Sequence, residues 1–318
     1  MSTNNTQVET MKRKIIIAAL ITIFAGYLTA CAGFSPNIQV PQKAPPPAPI
    51  KKQPQVAIVL GGGGAKGFAH IGVLEVLQKA GVPIDIVSGA SAGSVVAALY
   101  ADNGNADEAK DALMNAGFWD VADIGNFPSL KGPIKGYRLE KFLLKHMRSH
   151  DFKQTKIPLI VATTDLKKGV LYPIHSGPIA PAVLASGAMP GAVRPPHLYG
   201  HILVDGCMVD PVPVNLVKRY HPKIIIAINI DSMLPKDMPW SFYGIYNRGF
   251  QISWLALTRY TEKDANVLIR PQVGTVGTFD WSAKQKMYEA GVAAGKKALP
   301  QILKLLKEKG IPLKHLQK

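Results

Sequence analysis

Cysteine is almost absent from this 318-residue sequence, which holds only Cys31 and Cys207. A disulfide framework is excluded, and the fold must stand on its hydrophobic core. An apolar fraction of 47% is enough to build one of good size. Carboxylates are also scarce: 21 Asp and Glu stand against 37 Lys and Arg, a formal charge of +16. Such a balance suits an anionic lipid surface or nucleic acid as partner, or a solvated lysine coat that aids solubility. No repeat of fixed period occurs, which excludes solenoids and propellers. No grouping of His, Cys and carboxylates has metal-ligand spacing, so no metal is expected.

No apolar run makes a comfortable membrane span, the best being IIIAALITIFAGY from Ile15 to Tyr27. With Lys12-Arg13-Lys14 before it and small residues after it, residues 1–30 read as an export leader, best started at Met11 because the polar MSTNNTQVET fits poorly. Its end, Leu28-Thr29-Ala30-Cys31, resembles the lipobox of bacterial lipoproteins, which implies cleavage before Cys31 and a lipid on that cysteine. The alternative is an uncleaved anchor, or a core helix that happens to precede a cysteine; leader or anchor places the chain on a membrane. Loss of Lys12, Arg13, Lys14 and Glu9 with the leader takes the charge from +16 to +14. An exported protein rarely meets nucleic acid, so the expected partner is a membrane surface, reached through lipidated Cys31 and the basic face. Ala32 lacks the aspartate that favours inner-membrane retention, so the periplasmic face of the outer membrane is the expected location.

Residues 31–54 hold seven prolines and little apolar content, which reads as an extended tether of up to roughly 70 Å. No second linker follows, so residues 55–318 form one domain. There, short apolar runs alternate with helical stretches: VAIVL at 56–60, a helix after it, IDIVS at 84–88, and a helix again. Further strands are expected at 158–163, 201–204, 223–230 and 265–269, and helices near 107–116, 137–148, 179–186, 245–260 and 283–308. This order predicts an α/β domain with a mainly parallel sheet.

Between the first strand and helix lies GGGGAKG, residues 61–67, in which Gly62, Gly64 and Gly67 satisfy GxGxxG. A dinucleotide site would need an acidic residue at the end of the second strand, but IDIVS ends in Ser88. A P-loop would need its lysine after the last glycine, and Lys66 precedes Gly67. The glycines have another use. They let consecutive amides point into one concavity, a nest for a developing oxyanion, with Gly62, Gly63 and Gly64 as its donors.

Gly89-Ala90-Ser91-Ala92-Gly93 between a strand and a helix matches the nucleophile-elbow pattern, in which small neighbours permit a sharp turn that exposes the serine hydroxyl. Ser91 then needs a base within hydrogen-bond reach. None of the histidines after it stands in a context that marks a base, whereas Asp205 ends the short strand HILV with Gly206 behind it.

Taken together, GGGGAKG, GASAG and DGC at 205–207 resemble the patatin-like phospholipase family, over roughly residues 56–305, with ASGAMPGAVRPP at 185–196, DPVPV at 210–214 and ANVLIRPQVG at 265–274 similar to its bacterial branch. The resemblance implies a three-layer α/β/α fold and a Ser91–Asp205 dyad working through an acyl-enzyme without cofactor. Gly62, Gly63 and Gly64 would supply the oxyanion hole. Lys66 takes the family's basic position, with Gly67, Gly89, Gly93 and Gly206 as motif support. The implied substrate is a phospholipid, lysophospholipid or other fatty-acyl ester. The alternatives are an esterase or thioesterase on another acyl substrate, and a non-catalytic lipid-binding lipoprotein. Cys207 departs from the family's small Gly or Ala and bears on substrate fit.

Two further stretches concern the membrane. Leu299, Ile302, Leu303 and Leu306 set an apolar stripe opposite Lys304, Lys307 and Lys309, which packs on the domain or meets lipid. The aromatic group Trp240, Phe242, Tyr243, Tyr246, Phe250 and Trp254 is either core or interfacial.

Overall fold

The computed structural model describes residues 41–47, 50, 52–123, 132–231, 234 and 237–314; the leader, Cys31 and the first part of the tether lie outside them. In chain order the elements are β1 (Val56–Leu60), α1 (Phe68–Lys79), β2 (Ile86–Ala90), α2 (Ala92–Asn103), α3 (Ala106–Asn115), α4 (Phe118–Val121), α5 (Tyr137–His146), β3 (Leu159–Asp165), β4 (Val170–Ile174), α6 (Ile179–Ser186), β5 (His197–Leu198), β6 (His201–Asp205), α7 (Val214–Lys218), β7 (Ile224–Ile228), α8 (Phe242–Glu262), β8 (Val267–Ile269) and α9 (Lys284–Glu308).

VAIVL and IIIAI are buried along their whole length, as strands covered on both faces must be. Alternate residues go to opposite layers. Val56, Ile58 and Leu60 pack with α1, α2 and α9, while Ala57 and Val59 pack with Val214, Leu216 and Val217 of α7 and with Trp254 of α8. This is the expected three-layer arrangement.

Hydrogen-bonded neighbours in the sheet run β5-β6-β3-β2-β1-β7-β8, and β4 also pairs with β3. The pairs β1–β2, β1–β7, β2–β3 and β7–β8 are parallel; those of β3 with β4 and β6, and of β5 with β6, are antiparallel. The sheet is therefore mixed, with a parallel centre.

The register of β3 is what assembles the site. β4 pairs with Val161–Asp165 along one edge, so β2, on 159–162, and β6, on 163–165, share the other edge. They lie end to end. Ala90 stands opposite Ala162, and Asp205, arriving antiparallel, stands opposite Thr163. The last residue of each strand is thus delivered to the same point.

Strand β2 lies two residues later than the apolar run IDIVS suggests. The Asp85 carboxylate accepts the amides of Gln55 and Val56 and so closes the sheet edge before Ile86, while Gly89 and Ala90 continue the ladder with Val161 and Ala162. Strands β4 and β5 carry no sequence signal: β4 is VLYPI, with Val170 exposed and a proline inside it, and β5 is two residues long. In α9, Ile302 and Leu306 are buried and Lys304, Lys307 and Lys309 exposed, so its apolar stripe belongs to the domain.

Candidate active site

Between β2 and α2 the chain turns so sharply that Ser91 takes φ 52° and ψ −126°, a conformation that costs an L residue about 1–3 kcal/mol. The turn holds because its surroundings overdetermine it. The Ser91 N–H donates to Ser186 Oγ at 2.9 Å, and the Ser94 hydroxyl donates to the Ser91 carbonyl at 2.6 Å. Gly93 lets α2 approach β1: a Cβ there would lie 2.2 Å from the Leu60 carbonyl oxygen. Gly89 and Gly67 sit in the same packing, against Gly93 and Ala92 respectively.

The Ser91 hydroxyl donates to Asp205 Oδ2 at 2.7 Å. Asp205 Oδ1 accepts the Cys207 amide at 2.9 Å, and Thr164 Oγ1 donates to the Asp205 carbonyl at 2.9 Å. The carboxylate is therefore fixed from both sides. Burial raises its pKa to about 6, against the opposing effect of the bonds from the Cys207 amide and the Ser91 hydroxyl. Gly206 lies against Ala162, directly behind the dyad.

No histidine among the described residues bonds to either group. His201 Nδ1 pairs with Asp165 Oδ2 at 2.6 Å, at the opposite end of β6 from Asp205. His70 is fully buried behind the glycine loop, with Nε2 2.7 Å from the Gly61 carbonyl oxygen. Burial lowers its pKa to about 4, so the ring is neutral and donates through Nε2. The sequence reading passed over both His70 and Ser186. Neither stands in a motif of its own, although Ser186 falls within ASGAMPGAVRPP.

The glycine loop requires one correction. The Gly62 N–H donates to the Pro211 carbonyl at 3.0 Å and is not available to an oxyanion. The amides of Gly63 and Gly64 find no acceptor among the described residues, and nor does that of Ala92, directly after the serine. Gly62 serves by its size instead: a Cβ on it would lie 2.1 Å from Cys207 Sγ and 3.1 Å from Ser91 Cβ. Cys207, fully buried, fills the space between the loop and the dyad, and burial holds its thiol protonated.

Two cavities meet at Ser91. One, of about 170 Å³, is apolar and lined by Phe68, Val95, Leu113, Leu139, Leu184 and Trp281 among others. The other, of about 410 Å³, is a wider and more polar cleft that holds Asp205, Lys66, Asp231, Asn247 and Gln251 beside apolar residues such as Phe250 and Trp254. Burial lowers the Lys66 pKa, opposed by the nearby Asp231 carboxylate. Among the described residues no three His, Cys, Asp or Glu side chains gather as metal ligands would.

Comparison with known proteins places this geometry. Residues 58–218, just over half of the chain and spanning the glycine loop, Ser91 and Asp205, match the family described as patatin-like phospholipase. The chain is similar to lysophospholipase NTE1 of Coccidioides immitis, with 29% identity over 291 residues, 82% of this chain and 18% of the relative. It is also similar to human patatin-like phospholipase domain-containing protein 6, with 30% identity over 216 residues, 65% of this chain and 15% of the relative. It thus spans less than a fifth of the length of these relatives. Among solved structures, VipD of Legionella pneumophila superposes at a TM-score of 0.46 with 16% identity, covering 88% of this chain and 72% of that one. The chain belongs to the patatin-like phospholipase family, a family of serine acyl hydrolases.

Proposed function

We propose that the chain hydrolyses fatty-acyl esters of phospholipids or lysophospholipids through a Ser91–Asp205 dyad. The observation that carries this reading is the 2.7 Å hydrogen bond from a strained, elbow-held serine to a buried carboxylate, at the junction of an apolar and a polar cavity. The apolar cavity suits an acyl chain and the polar cleft the glycerol and head group, which sets the ester carbonyl beside Ser91.

Ser91 Oγ attacks the carbonyl carbon as its proton passes to Asp205, and the carbonyl electrons move to oxygen. The amides of Gly63 and Gly64, with that of Ala92, receive the oxyanion, each such donor being worth about 3 kcal/mol. Collapse expels the alcohol, which takes the proton from Asp205, and leaves an acyl-enzyme. Water, deprotonated by Asp205, then attacks the acyl carbon; Ser91 recovers its proton and the fatty acid departs.

The same reading keeps the protein at its substrate through a leader ending at residue 30, a lipid on Cys31 and a proline-rich tether, with the periplasmic face of the outer membrane as its place. What supports this is the charged, apolar and small-residue order before Cys31 and the seven prolines after it. Mass measurement of the mature N-terminus tests it: a diacylated Cys31 is expected, and an unmodified Met1 or Met11 contradicts it.

The activity is tested by fatty-acid release from phospholipid and lysophospholipid dispersions, comparing the parent with Ser91→Ala and Asp205→Asn. Both variants fold and lose roughly a thousandfold or more in kcat. Release that survives Ser91→Ala contradicts the assignment.

A further inference from the structure

Helix α8 is held at one end only. Its buried residues are Thr258, Thr261 and Glu262, all in the last turns. Asp231, past the end of β7, clamps that half: Oδ1 accepts the Trp254 Nε1–H at 2.8 Å and Oδ2 accepts the Thr258 hydroxyl at 2.6 Å. The other half has no buried residue and is rich in aromatics. Phe242, and Trp240 just before the helix, are each 89% exposed, Tyr243 72% and Tyr246 68%, with Ile245 and Met238 exposed beside them. A contiguous apolar surface of this kind is unusual on a soluble face and marks an interaction site.

The patch is continuous with the cleft. Asn247, Phe250, Gln251, Trp254 and Leu255 recur at helical spacing and form the wall of the polar cleft that contains Ser91 and Asp205. Tyr243 and Tyr246 extend that stripe by one turn, beyond the cleft.

Charge selects the partner. Helix α8 carries Arg248 and Arg259, its one acidic residue, Glu262, is buried, and Asp237 just before it offers its carbonyl to Arg248. A second copy docked by the same face in a twofold dimer would set arginine-bearing helix against arginine-bearing helix and would close the cleft to substrate. A bilayer offers phosphates to the arginines and an interfacial zone that suits Trp and Tyr rings.

We infer that the N-terminal half of α8, with Trp240, Phe242, Tyr243 and Tyr246, docks the molecule on an anionic phospholipid bilayer and turns the mouth of the active-site cleft toward it. The inference builds on the lipid hydrolase reading, yet its test separates the two.

The full chain is titrated with phosphatidylglycerol vesicles whose acyl chains are brominated near the head group, and tryptophan quenching is read. Residues 1–40 hold no tryptophan, so anchoring by them alone gives no signal. Quenching is expected, reduced by about half or more in Trp240→Phe, as befits the most exposed of the four tryptophans. In parallel, Trp240→Ser, Phe242→Ser, Tyr243→Ser and Tyr246→Ser are combined. Hydrolysis of vesicle phospholipid falls about tenfold or more, while hydrolysis of a monomeric short-chain ester stays within about twofold of the parent.

Quenching that is absent, or unchanged in Trp240→Phe, overturns the docking assignment. So does an equal effect of the combined variant on both substrates, or a dimer in sedimentation that the combined variant dissociates. A parent that is quenched through Trp240 but hydrolyses neither substrate leaves the docking standing and removes the hydrolase reading.

Discussion

At the scale of single residues, the proposed chemistry rests on one carboxylate held where ionisation is unfavourable. Asp205 has a pKa of about 6, raised by burial above the ordinary 3.8. As a base it must be ionised, so kcat/KM for a soluble ester rises with pH through a single ionisation near 6, and replacing His201 leaves that limb in place. The same shift has a sign for stability. A carboxyl group whose folded pKa is raised favours the fold while protonated, below about 4, and this contribution is lost as pH rises through 6. At pH 8 the ionised group costs roughly 3 kcal/mol. Asp205→Asn is therefore expected to be inactive and more stable than the parent at pH 8, with the gain shrinking toward pH 4. Denaturant midpoints at the two pH values measure it, and equal midpoints at pH 8 would contradict the burial argument.

At the scale of elements, the site is made by strand ends and a glycine loop. Cys207 and Gly62 are matched in size, because any Cβ on Gly62 would meet the Cys207 sulfur. Gly62→Ala should destabilise the fold by about 1–3 kcal/mol through overpacking. Adding Cys207→Gly, which removes the sulfur, should recover at least half of that loss by thermal melting. An additive double variant would show that the contact is not the cause.

The elements were legible in the sequence where apolar periodicity was strong: β1 coincides with VAIVL, and α6 and α9 with their helical patterns. They were not legible where a strand is stabilised only by its partner. β4 and β5 lack any apolar run, and the end of β2 is set by pairing with β3. The motifs located Ser91 and Asp205 but not the means of their meeting, which is two strands end to end on one edge of β3. Nor did GGGG reveal that the Gly62 amide is taken by Pro211, since that carbonyl lies about 150 residues away in sequence. Ser186 and His70 escaped because each acts through a single backbone contact.

At the scale of the whole molecule, acid and base stability pull in opposite directions through two buried groups. His70, with its pKa lowered to about 4, contributes stability that is present above 6.5 and lost as pH falls through 4. Between pH 7 and 4.5 this amounts to roughly 2–3 kcal/mol, which His70→Gln should largely abolish in denaturant titrations. Asp205 acts in the reverse sense over the same range. The molecule thus tolerates a buried neutral imidazole behind its glycine loop and a buried carboxylate before it, the two supports of the proposed reaction centre.

The central claim is that Ser91 is a nucleophile activated by Asp205. It is tested most directly by reacting the full chain with a long-chain fluorophosphonate and locating the adduct by peptide mass spectrometry. The account predicts a single phosphonyl group on Ser91, formed at least a hundredfold more slowly in Asp205→Asn. An adduct on another residue, or an undiminished rate in Asp205→Asn, would contradict it.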